Sequence, residues 1–227
     1  MGNVKKTYSD FHKAKQSGHV YPTEWVIRTI LGKYPDLNLD KTKYKGAVLL
    51  DLEFGDCRNM PLLQNCEFDI YGVEISDEIV SMAENKISDL GISATLKKGT
   101  NSDIPFDTDF FSYLLACHSC YYVYKDTFTN NIKEIACVLK PGEIVIASIP
   151  SPNNFILKGY IKLEDGHVVI TSDVYGLRNG YIFRTFENEG DVIKTFSPYF
   201  NNMSVCKCEE NFWGLQINYF LIEGEKI

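Results

Sequence analysis

Two carboxylates, Asp51 and Glu74, occupy the positions from which a nucleotide-type ligand is read. Asp51 stands at the end of the apolar run Ala47-Val-Leu-Leu50, and Gly55 follows four residues later. Glu74 ends a second apolar segment, Phe68-Asp-Ile-Tyr-Gly-Val-Glu74, nineteen residues after Gly55. A carboxylate accepts two hydrogen bonds from a vicinal diol with good geometry. A glycine turn lets backbone approach a ligand closely, and the helix start beyond it offers N–H groups to polar or anionic atoms. Strand, turn, helix, strand and terminal acid together specify the nucleotide half-site of an open α/β sheet.

A second chemistry-bearing stretch is Ala116-Cys-His-Ser-Cys-Tyr-Tyr-Val123. It follows an apolar strand, at the carboxyl edge where such sheets bind ligands. His118 is one of four histidines. As a neutral imidazole it takes a proton from an acceptor hydroxyl; alternatively it only orders the loop. Tyr121 and Tyr122 offer ring faces to a ligand. Cys117-x-x-Cys120 and Cys206-x-Cys208 invite a zinc reading. However, Cys117 ends a central strand and the second pair shares one strand face, so buried free thiols are expected and no metal.

The positioning elements follow from pattern. Tyr21-Pro-Thr-Glu24 starts a helix over 23–31, with Trp25, Ile27, Ile30 and Leu31 as a rough apolar face. A short helix covers 59–66. Ser76 is an N-cap with Asp77 and Glu78 in the first turn; Ile79, Met82, Ala83, Ile87 and Leu90 recur at helical spacing and Gly91 closes the helix. Residues 93–97 and 113–117 read as strands three and four, 127–140 as a helix, and Pro141-Gly142 as a turn into strand five, 143–149. This alternation implies a parallel sheet with right-handed crossovers and helices on both faces.

The pattern changes after Pro150. Residues 160–163, 167–171 and 180–185 are β-like, and Asn179-Gly180 is a turn signal. A helix over 189–200 and strands at 204–208 and 217–222 complete the chain. The expectation is one domain, 1–227: an N-terminal helical segment (1–45), a ligand-binding core (46–150), a β-rich insertion (151–186) and a C-terminal helix with two strands (187–227).

Composition narrows the class. The 227 residues are 44% hydrophobic and 23% charged, as in ordinary globular proteins. A net charge of −7 argues against nucleic acid as a partner. No apolar run reaches membrane-spanning length, and the N-terminus lacks the apolar core of a signal peptide. Seven scattered cysteines fit free thiols in a reducing cytoplasm.

The sequence resembles the class I S-adenosylmethionine (SAM) dependent methyltransferases. The residues carrying the resemblance are Asp51-Leu-Glu-Phe-Gly-Asp-Cys57, Glu74 at the end of strand two, Gly99-Thr-Asn-Ser-Asp-Ile-Pro-Phe106 before strand four, and Leu139-Lys-Pro-Gly142 before strand five. Glu53 and Cys57 stand where that family usually has glycine. The resemblance implies a Rossmann-like, open, mostly parallel seven-stranded sheet with one antiparallel edge strand. SAM is the implied cofactor and S-adenosylhomocysteine (SAH) the product. It implies cofactor contacts from Asp51, Glu53, Gly55, Asp56, Asn59, Glu74, Ile75, Asn101, Ser102, Cys117 and His118, with Asn101 and Ser102 at the adenine edge. The resemblance makes 1–45 a helical lid over the cofactor and 151–186 the substrate-recognition insertion; Tyr21 and Arg28, on that lid, either reach the cofactor carboxylate or stay packed and solvated. His118 is the candidate base, and Tyr121 and Tyr122 the acceptor contacts.

The implied reaction is methyl transfer to a small polar acceptor, a sugar hydroxyl on a nucleotide-linked precursor for surface polysaccharide. An amine acceptor and a non-catalytic partner subunit are the alternatives. A nicotinamide oxidoreductase wants Gly-x-Gly-x-x-Gly, which is absent. The oligomeric state stays open.

Overall fold

A computed structural model describes residues 20–123 and 127–227; the first nineteen residues of the expected lid fall outside it. The central sheet runs β3 (Ala94–Lys98), β2 (Asp69–Glu74), β1 (Val48–Leu52), β4 (Phe111–Ala116), β5 (Leu139–Pro150), β10 (Leu215–Lys226), β9 (Phe200–Phe212). Strands β1 to β5 are parallel and β10 pairs antiparallel with both neighbours. The antiparallel strand is therefore second from the edge rather than at it. The order reverses at β1, whose two neighbours are β2 and β4, and ligands bind such sheets at that switch point.

Strand alternation divides the core into two layers. Leu49, Leu115 and Ile146 face one side, where helices α1 (Glu24–Leu31), α2 (Met60–Asn65) and α3 (Asp77–Asp89) pack through Trp25, Met60 and Ile79. Leu50, Leu114 and Val145 face the other, against α4 (Phe128–Val138) and α5 (Glu189–Phe196). The cap predicted for α3 forms, with the Ile79 amide donating to Ser76 Oγ at 3.3 Å.

Two boundaries differ from the sequence reading. Helix α4 ends at Val138, and Leu139 already pairs with Phe111, so the Leu-Lys-Pro-Gly stretch lies inside β5. Pro141 disfavours helix at Lys140, and Gly142 at φ 80° absorbs the register shift. Strands β9 and β10 are also longer than predicted. Tyr219 pairs with Pro150, the last residue of β5, so residues 215–218 carry the hairpin beyond the sheet's ligand-binding edge. Its tip, Trp213-Gly214, has both φ angles positive, the hairpin turn that matches strand twist. Trp213 there is 99% exposed.

The insertion forms a separate antiparallel sheet of β6 (Tyr160–Lys162), β7 (His167–Ile170) and β8 (Ile182–Arg184). It docks where β4 ends: the Val123 amide donates to Ile182 O at 2.9 Å and the Arg184 amide to Tyr121 O at 3.0 Å. Phe183, fully buried, seals this junction against the rings of Tyr121 and Tyr122 at 4.9 and 4.6 Å. Phe183→Ala should cost about 3–5 kcal/mol in urea unfolding, the scale of a buried aromatic truncation. A loss below about 1 kcal/mol would mean the insertion is not packed on the core.

Candidate active site

The site is built from the end of β1 outward. Asp51 is fully buried, and both its carboxylate oxygens lack a hydrogen-bond partner. It lines a cavity of about 470 Å³ at the carboxyl edge of β1 and β4. Burial, then the charges of Glu74 and Asp56, push its carboxyl up to about 7. A buried acceptor without a donor is costly and marks a place where a ligand supplies one.

The loop after Asp51 alternates into left-handed backbone at Glu53 (φ 56°), Gly55 (φ 60°) and Cys57 (φ 62°). The two residues that replace family glycines thus keep the backbone shape that glycine adopts without strain. The strain is roughly 1–2 kcal/mol for each. Glu74 fastens this loop: its carboxylate accepts from the Gly55 amide at 3.0 Å and the Ile75 amide at 2.7 Å. Burial raises the Glu74 carboxyl to about 7 against the lowering by those two amides. Glu74 therefore lies behind the turn, and a ribose diol would use the lone pairs its oxygens have left. Glu53 lines the cavity and reaches across to the Asn101 amide, 3.4 Å from its Oε1. Asp56 grips Arg58 through two bonds of 2.8 and 2.6 Å. Asn59 accepts from the Thr23 amide at 3.0 Å and ties the start of α1 to the loop.

The structure engages several of the expected site residues in contacts of their own. His118 has no lone pair for an acceptor's proton. The indole N–H of Trp25 can only donate, and it donates to Nε2 at 3.2 Å. The neutral ring's proton is then on Nδ1, which lies 2.9 Å from Ser148 Oγ. That oxygen also accepts from the His118 amide at 2.9 Å, and the ring packs on Tyr219 at 4.2 Å. Burial, with Arg178 and Arg58 adding to it, lowers the imidazole to about 3. His118 thus joins α1, β4 and β5 as a positioning residue. ¹⁵N NMR should report the Nδ1–H tautomer, uncharged from pH 5 to 8; titration near the ordinary 6.5 would contradict this placement.

Asn101 is partly committed to the fold. Its Nδ2 donates to Ser119 O at 3.3 Å and Tyr122 O at 2.8 Å and so fastens the segment after β4, while its buried Oδ1 has no hydrogen-bond partner. Ser102 pairs with Thr100 Oγ1 at 3.3 Å and does not line the cavity. Ile75 belongs to the core cluster on the α1–α3 face. Cys117 lines the cavity as a thiol, its Sγ 3.5 Å from Thr23 Oγ1 and its pKa pushed by burial up to about 12. Tyr21 is 76% exposed, and Arg28 pairs with Glu24 at 2.8 Å. Arg28 lines a different, larger cavity of about 750 Å³ between α1 and β9–β10, which does not hold Asp51; Glu74 lines neither cavity. The chemistry belongs to the smaller cavity. Tyr121 and Tyr122 do line it.

The sequence reading missed Thr23, Arg58, Tyr175, Leu177, Arg178 and Tyr219, all of which line the same cavity. Tyr175, Leu177 and Arg178 come from the insertion, just before the Asn179-Gly180 turn; that turn is the only local signal for them. Among the described residues no group of three or more His, Cys, Asp and Glu side chains is placed to hold a metal ion.

A family model described as a methyltransferase domain matches residues 49–142, the span that carries Asp51, the left-handed loop, Glu74 and β4. Residues 49–142 thus match a methyltransferase domain, and the sheet is folded like that of a SAM-dependent methyltransferase. Solved structures share this fold at low identity. A SAM-dependent methyltransferase from Methanosarcina mazei is 20% identical over 87% of this chain and 99% of its own, with a TM-score of 0.62. A protein from Pyrococcus horikoshii is 20% identical over 82% and 85%, with a TM-score of 0.61. The 1,6-didemethyltoxoflavin-N1-methyltransferase of Burkholderia thailandensis, solved with 1,6-didemethyltoxoflavin and SAH, is 12% identical over 99% and 86%, with a TM-score of 0.65. No curated protein matches the sequence. The unpartnered Asp51 carboxylate in the cavity suits the ammonium group of SAM.

Proposed function

We propose that this methyltransferase moves the methyl group of SAM onto a hydroxyl of a small polar acceptor, a sugar being the best fit. The observation that carries the methyl-transfer reading is the pair of buried, unpartnered Asp51 oxygens facing the cavity. Asp51 would hold the cofactor's ammonium, Arg58 its carboxylate and Glu74 its ribose. The sulfonium supplies an electrophilic methyl group, so positioning does most of the work.

The acceptor would lie on the insertion side, among Tyr121, Tyr122, Tyr175 and Tyr219. Apolar ring faces with polar rims are what a sugar's alternating C–H and O–H surface needs. This supports the insertion as the recognition segment. An amine acceptor is favoured by one observation: with both His118 nitrogens engaged, a nucleophile that needs no histidine base is at an advantage. An SAH-release assay over sugars, nucleotide-linked sugars and amines separates the readings. Turnover confined to hydroxyl compounds supports the first, and turnover confined to amines rejects it.

The cytoplasm suits the enzyme, whose seven cysteines are all free thiols. No helix among the described residues is long and apolar enough to cross a membrane.

A further inference from the structure

Strand β9 closes the strand order of the central sheet and pairs on one side only, with β10. No described strand lies on its outer side. Its extended stretch, 203–212, is bounded by left-handed residues, Asn202 at φ 47° and Trp213 at φ 48°. A bare edge of this length is a template for another strand. The same strand carries an apolar knob and an apolar groove. The knob is the hairpin tip, where Trp213 is 99% exposed and Phe212 44%. The groove is the larger cavity of about 750 Å³, which residues 203–208 line without a gap and Trp25, Leu37 and Leu221 wall with apolar surface. Knob and groove end lie roughly 30 Å apart along the strand, so one chain cannot join its own.

Two copies can. A two-fold axis perpendicular to the sheet makes two β9 strands antiparallel and keeps each side chain on its own face, so one residue meets its own copy at the axis. Charge selects that residue. An axis at Lys207, Glu209 or Glu210 sets like charges directly opposite, which is destabilising. An axis at Val205 or Cys206 leaves Lys207 and Glu209 unmatched. An axis at Cys208 places Lys207 opposite Glu209 of the second copy, and the reverse. Lys207 and Glu209 already lie 2.8 Å apart within one chain, so this register closes a ring of four alternating charges. Their neighbours on β10, Phe220 and Asn218, are uncharged. The same register sets Phe212 of the second copy opposite Ser204 and Trp213 of the second copy opposite Met203, and both Ser204 and Met203 line the groove. We propose that β9 is the interface of a two-fold dimer of this chain. The two central sheets join through antiparallel β9 strands centred on Cys208, and each hairpin tip seats at the other copy's groove.

Sedimentation equilibrium on the full chain tests it. The wild type should be a dimer at micromolar concentration. Lys207→Glu and Glu209→Lys each set like charges across the axis, and each should weaken association tenfold or more. Mixing these two variants should restore the dimer, because each supplies the charge that the other lacks. No contact within one chain produces that recovery. Trp213→Ala should also weaken association tenfold or more. All three side chains are at least partly exposed, so circular dichroism should show the variants folded as the wild type is. A monomeric wild type would overturn the proposal. So would single charge variants that associate as the wild type does, a mixture that stays monomeric, or full association of Trp213→Ala.

Discussion

Asp51→Asn should weaken SAM binding by about 1.5–3 kcal/mol, roughly tenfold to 150-fold, while raising the melting temperature of the ligand-free protein. The two effects have one cause. In the ligand-free protein the Asp51 carboxylate is buried with no partner, so its charge opposes folding. The same charge attracts the cofactor ammonium once the site fills. The asparagine side chain has the same shape and no charge, so it relieves the first and forfeits the second. Calorimetry with SAM and thermal unfolding without it read the two halves. A variant that binds SAM as the wild type does would remove Asp51 from the cofactor site.

The same residue fixes the pH dependence. Asp51 and Glu74 are both raised to about 7 from values near 4 in an unfolded chain. The folded state therefore binds more protons between pH 4 and 7, and ligand-free stability declines as pH rises through that window. Cofactor affinity should move the opposite way. An ammonium ligand favours ionised Asp51, so SAM should bind more tightly as pH rises toward 7.5.

Glu74→Ala carries the second large effect. The carboxylate accepts from the amides of Gly55 and Ile75, so its removal leaves two N–H groups without their partner and loosens the left-handed loop. SAM affinity should drop by about 1.5–3 kcal/mol, the worth of a charge-assisted hydrogen bond. Unfolding should also shift to lower temperature, unlike that of Asp51→Asn. Intact affinity would mean that the cofactor ribose is held elsewhere.

The sequence showed those features whose signal is local. Asp51, Gly55 and Glu74 are marked by strand ends and a turn, and the structure places all three around one loop. The helical and strand periods foretold the β1–β5 alternation and the three-stranded insertion. Hidden features depended on distant partners. His118 looked like a base because nothing near it in sequence shows that Trp25, 93 residues away, takes its lone pair. The Asn101 nitrogen is spent on the carbonyls of Ser119 and Tyr122, which leaves only its oxygen unpartnered. Arg178 and Tyr219 enter the cavity only when the insertion folds back over β4 and the last hairpin pairs with β5. Glu53 and Cys57 broke the glycine pattern without breaking the turn, because both residues take the left-handed conformation themselves.

The most direct test is calorimetric titration of the purified full chain with SAH at pH 7.5. Saturable one-to-one binding with a micromolar Kd, about −8 kcal/mol, is the expected result, and Asp51→Asn should lower it at least tenfold. No binding by a protein shown to be folded would contradict a working cofactor pocket and would favour a non-catalytic member of the fold.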